Sequence, residues 1–131
     1  LFIDPGFSVI DAVIVKRATK DYVLVLKDNT RPERNLKVAF AETPIGPWKN
    51  ISKPFSDKFT EGPSVVKLKD EWLIYFDSYQ KKIYETVSTK DFVQFKNVTK
   101  KVSVPIGHKH GTIVRVNKRV IKKLLLHVKK F

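Results

Sequence analysis

Two stretches of this chain carry the same succession of residue types about fifty positions apart. Asp11 stands before Ala12-Val13-Ile14-Val15, and 50 positions later Glu61 stands before Gly62-Pro63-Ser64-Val65-Val66. Each is followed by an almost uninterrupted apolar run, Asp21–Asp28 and then Glu71–Asp77, with Tyr22 and Trp72 50 positions apart and Asp28 and Asp77 49 apart. Leu36–Glu42 and Lys82–Ser88 then alternate in period two, and Trp48-Lys49-Asn50-Ile51 returns 47 positions later as Phe95-Lys96-Asn97-Val98. His110, 49 positions after Glu61, opens a third such unit at His110–Val116. A chain built this way must stack like units, because one unit alone cannot bury its apolar face.

Four short strands in a repeat of about 40 to 50 residues are the pattern of a propeller blade. The spacing predicts strands at Val9–Lys16, Asp21–Asp28 and Leu36–Glu42 with an edge strand at Trp48–Ile51. A second set follows at Pro63–Leu68, Glu71–Asp77 and Lys82–Ser88 with an edge at Phe95–Val98. Arg17–Lys20 and Lys69-Asp70 supply hairpin turns, and Thr43-Pro44-Ile45-Gly46-Pro47 is turn chemistry. The second run of each set is too continuously apolar for a half-exposed strand and should be buried on both faces. The expected fold is all-β: about two four-stranded blades plus one strand over residues 1–116. A ring needs about four to eight blades, so the rest are expected upstream, on a partner chain or on a second copy.

Residues 117–131 change period. Asn117 can cap a helix in which Val120, Ile121, Leu124, Leu125 and Val128 form an apolar stripe opposite Lys118, Arg119, Lys122, Lys123 and Lys129. This basic amphipathic helix is expected to pack on the sheets of the same domain rather than on a membrane.

The chain has no cysteine, which excludes disulfides and a thiolate metal site. Its apolar runs are too short for a membrane-spanning helix. The net charge of +13 is lopsided: residues 92–131 carry 11 basic and no acidic side chains. Such a block suits nucleic acid, an anionic glycan or a membrane surface, or simply forms a solvated face. A single-strand nucleic-acid platform also needs aromatics, and the tail has only Phe131. Neither a nucleic-acid nor a membrane partner is therefore expected. Extracellular, periplasmic and cytoplasmic settings all stay open.

Several motifs in order carry a resemblance. Asp11-Ala12, Leu26-Lys27-Asp28, Thr60-Glu61-Gly62-Pro63-Ser64, Tyr75-Phe76-Asp77-Ser78-Tyr79, Ser88-Thr89-Lys90-Asp91 and Gly107-His108-Lys109-His110-Gly111-Thr112 together resemble the C-terminal part of a glycoside hydrolase of family 43. The resemblance implies a partial five-bladed β-propeller that cleaves arabinose- or xylose-containing glycans with inversion. It implies Glu61 as the general acid, Asp11 as the carboxylate that tunes that acid and orients the sugar, and His110 as a polar residue near the central channel. Asp77, Lys27 and Tyr79 are expected to contact substrate, Tyr79 by stacking on a sugar ring.

The family's general base is an aspartate of the first blade, and no counterpart of that blade is present; Asp4 is read as a loop residue. Lys109 also stands where the family often has arginine, which offers bidentate contacts that lysine does not. The expectation is an enzyme when complete, with the isolated chain inactive and prone to self-association. The alternatives are a silent carbohydrate-binding propeller fragment and an anionic-polymer-binding β module. No cofactor is expected, apart from a possible ion such as calcium in a central channel. His108 and His110 could make a metal pair on a strand, but a third ligand is not evident.

Overall fold

The computed structural model describes residues 2–128. They form β1 (Val9–Ala18), β2 (Asp21–Asp28), β3 (Asn35–Ala41), β4 (Thr60–Leu68), β5 (Glu71–Ser78), β6 (Ile83–Thr89) and β7 (Lys96–Asn97). A 3-10 turn at Thr99–Lys101 and α1 (Lys118–Val128) follow. The strands make two antiparallel meanders, β1-β2-β3 and β4-β5-β6-β7, and the sheets do not close into a barrel.

Alternation along β2 explains how the sheets are placed. Val23 and Val25 point into a core shared with Ile74, Phe76 and Val87 of the second sheet and with Phe92 of the loop after β6. Leu24 and Leu26 point the other way, against Ile3, Phe7, Val9, Trp48 and Ile51. This strand is buried on both faces, as its unbroken apolar run requires. In β5 the expected burial on both faces is not met: Ile74 and Phe76 are buried in the shared core while Leu73 and Tyr75, on the other face, stay half-exposed. Phe55 stacks on Phe95 at 4.4 Å and lies edge-on to Phe76, closing the shared core at one side. Arg17 closes it at another, its guanidinium lying over Phe40 and Phe92 and donating to the Asp91 carbonyl at 2.7 Å.

Three further expectations need correction. The edge strand at Trp48–Ile51 is reduced to a bridge between Phe40 and Lys49. Beyond it the Ser52 and Ser56 hydroxyls accept the Val38 and Leu36 amides in place of a strand's carbonyls, while the Ser52 and Phe55 amides donate to the Val38 and Leu36 carbonyls. His110–Val116 is not a strand. The strand that would pair with it would have to follow Val116, where the sequence turns helical. Third, α1 does not pack on the sheets. Asn117 caps it, accepting the Val120 amide on Oδ1 at 3.1 Å, but every described side chain of the helix is exposed. Lys129 of the expected basic face and Phe131 lie outside the described residues.

Candidate active site

The first strands of the two sheets, β1 and β4, lie side by side, and both are irregular at the same level. Between Ile10 and Val13, β1 carries one residue more than its partner β2; between Glu61 and Ser64, β4 carries one more than β5. Such bulges bend a strand and re-aim the side chains around them. In β1 the extra turn is made by Asp11 at φ +50°, and in β4 by Gly62 at φ +58°.

The register refines the fifty-residue spacing. Ile10 pairs with Lys27 and Glu61 with Asp77, so the counterpart of Glu61 in the first sheet is Ile10, and that of Asp11 in the second is Gly62. Likewise Asp77 corresponds to Lys27 and not to Asp28. Asp11 and Glu61 thus occupy successive places at the bulge rather than equivalent ones. That offset lets them converge from neighbouring strands.

Asp11, Glu61 and His110 are brought together, one donor atom of each within 4.8 Å of the others. Asp11 Oδ2 accepts the Gly62 amide at 3.1 Å, joining the two bulges. Glu61 Oε2 receives Lys27 Nζ at 2.6 Å, and Glu61 Oε1 lies 3.6 Å from His110 Nε2. On its other side the imidazole approaches Asp77 Oδ2 at 3.8 Å. His110, itself at φ +45°, is seated where only glycine leaves room: a β-carbon on Gly62 would come 2.5 Å from its Cδ2. The segment that carries it is tied down by two bonds, from the Tyr84 hydroxyl to the Gly111 carbonyl (2.9 Å) and from the Ile113 amide to Ser64 Oγ (2.9 Å). Burial pushes the Tyr84 phenol above its ordinary value, so the tether stays a neutral hydroxyl donor.

The other expected site residues stand behind this surface group. Lys27 is only 1% exposed and Asp77 2%, so a glycan cannot reach either; Lys27 faces Glu61, and Asp77 faces His110. Tyr79 is half-buried, edge-on to Phe59, with the Lys27 ammonium 5.4 Å from its ring centre. It covers the ion pair and does not stand free to stack on a sugar. Asp77 Oδ2 and the Tyr79 hydroxyl are buried without a hydrogen-bond partner among the described residues. His108 lies edge-on against Tyr84, apart from the business of His110. Asp4 accepts the Gly6 amide in an exposed loop.

Gly62 and Ser64 were not legible as working residues. Their roles, as amide donor and seat for His110 and as anchor for Ile113, depend on contacts across about fifty positions; the Gly in Glu61-Gly62-Pro63 was the one local signal.

Two carboxylates, an imidazole and an ammonium in mutual reach can move a proton or bind hydroxyl groups. For an ion such as calcium the group offers two carboxylates and an imidazole, so most of the roughly six to eight ligands would have to be carbonyls and water. The Lys27 ammonium already supplies positive charge there. Asp11, Gly62, Pro63, His110, Gly111 and Thr112 line a groove of about 230 Å³. A family model related to glycoside hydrolase family 43, described as a probable glycosyl hydrolase domain, matches residues 1–121. No curated protein matches the chain.

Proposed function

Since the chain belongs to this family of glycosyl hydrolase domains, we propose that its two bulged strand ends form the acid side of an inverting glycosidase site for arabinose- or xylose-containing glycans. The observation that carries the reading is the convergence of Asp11 from one sheet, Glu61 from the other and His110 from the segment after them, beside a surface groove that Asp11 and His110 line. Glu61 protonates the departing glycosidic oxygen. Asp11, held by the Gly62 amide, orients the sugar and sets the field around the acid.

Asp11 is not the base of this reaction. An inverting pair is separated by about 6.5–9.5 Å to admit water, whereas Asp11 and Glu61 approach within 4.8 Å. The groove is also smaller than the roughly 300–1,000 Å³ of a typical small-molecule site. The base and the opposite wall belong to further blades of a five-bladed propeller, packed on the half-exposed face of β5 that carries Leu73 and Tyr75. Those blades would come from elsewhere in a longer chain, a partner or a second copy.

One observation favours a second reading, a propeller that binds glycan without cleaving it. One of the two Glu61 oxygens, Oε2, is occupied by the Lys27 ammonium at 2.6 Å, which leaves Oε1 alone to hand over a proton.

Azide separates the two, because it attacks the anomeric carbon without needing a general base. The chain is mixed with phenyl arabinofuranoside or xyloside, with and without azide, and oligosaccharide binding is followed by calorimetry. Azide-dependent release of phenol, falling by a factor of about 10² to 10⁴ in Glu61→Gln, supports the hydrolase. Binding without cleavage selects the second reading, and absence of both overturns both.

A further inference from the structure

The described part of α1 packs against no strand, and the two faces of the helix differ sharply. At about 100° per residue, Val120, Ile121, Leu124, Leu125 and Val128 fall in one arc, and Lys118, Arg119, Lys122 and Lys123 in the opposite one, which also holds the exposed Leu126. The apolar arc is bare, from 39% exposed at Val120 to 70% at Val128. No acidic side chain occurs anywhere in residues 92–131.

This combination restricts what can cover the stripe. The same helix of a second copy would cover the stripe but bring no carboxylate to pair with the basic arc. A nucleic acid would satisfy the lysines and leave five apolar side chains in water. An anionic bilayer surface satisfies both faces, apolar side chains entering the acyl boundary and ammonium groups staying among the phosphates. No described helix is long and apolar enough to cross a membrane, so α1 would lie along the surface.

We propose that α1 is a peripheral anchor that docks this chain on anionic lipid. The helix touches no strand, so its variants leave the sheets and the Glu61 group intact, and the inference does not depend on the glycosidase reading.

The test is cosedimentation of the whole chain with vesicles of phosphatidylcholine alone or mixed with phosphatidylglycerol. The expected result is partition at least about tenfold stronger into the mixed vesicles, weakening as salt rises. It should be lost in L124D/L125D, with strand circular dichroism unchanged. Lys122→Gln with Lys123→Gln should weaken it by about fivefold or more. Equal binding to both vesicle types overturns the proposal. So does binding that survives L124D/L125D, which makes the contact a purely ionic one. Helix-dependent dimerisation in light scattering without vesicle binding assigns the stripe to a second copy and overturns it too.

Discussion

The imidazole of His110 rests on the bare α-carbon of Gly62, so closely that a β-carbon at position 62 would lie 2.5 Å from its Cδ2 and 3.0 Å from its Nε2. The same glycine is at φ +58° and gives its amide to Asp11. One residue therefore sets the places of two side chains, His110 and Asp11.

Gly62→Ala should displace His110 from Glu61 as well as strain the bulge. A left-handed alanine costs about 1–2 kcal/mol before any clash. Urea unfolding should show a loss of about 1–3 kcal/mol, and the His110 ring resonances should shift. An unchanged imidazole spectrum would refute the seating.

Lys27→Met keeps the buried volume of Lys27 and removes the partner of Glu61. Glu61 is a quarter exposed, so the loss is smaller than for a fully buried pair, about 1–3 kcal/mol. A double-mutant cycle with Glu61→Gln should return a coupling of roughly 0.5–3 kcal/mol. Additive effects would mean that the 2.6 Å contact contributes nothing to stability.

Asp28 makes stability depend on pH. Burial alone would raise its carboxyl, but the Lys37 ammonium at 2.7 Å and the Thr30 amide at 2.9 Å outweigh that and hold it below the ordinary 3.8. A carboxyl depressed in the folded state stabilises the fold fully above its unfolded value and loses that contribution as pH falls through the folded one. Asp28→Asn should therefore destabilise the chain at pH 7, and the difference from wild type should shrink at pH values well below 3.8. Equal differences at both ends would contradict the pairing.

Phe76→Ala tests the shared core. Phe76 is 1% exposed and meets Phe55 edge-on, so truncation should cost about 3–5 kcal/mol and loosen both sheets together. Two separate unfolding transitions in the wild type, by tryptophan fluorescence and circular dichroism, would argue against one core.

Much of the local structure was legible because it rests on side-chain alternation. The runs Asp21–Asp28 and Glu71–Ser78 are strands, and the doubly buried character of β2 follows from Val23 and Val25 facing one way and Leu24 and Leu26 the other. Asn117 as a helix cap, and the carboxylate of Glu61 at a strand mouth before Gly62-Pro63, could likewise be read from neighbours in the chain.

The strand pattern, the repeat and the residue types available at its turns are therefore written in the order of the residues alone. The tertiary structure decided where each bulge falls, and so that Asp11 answers to Gly62 and not to Glu61. It also decided that Lys27 turns inward to meet Glu61, and that α1 stays bare despite its amphipathic stripe. The reason is physical. Alternation is a property of consecutive residues, whereas an extra residue in a strand, an ion pair across 34 positions and a face left without a partner exist only once separate segments have been brought side by side.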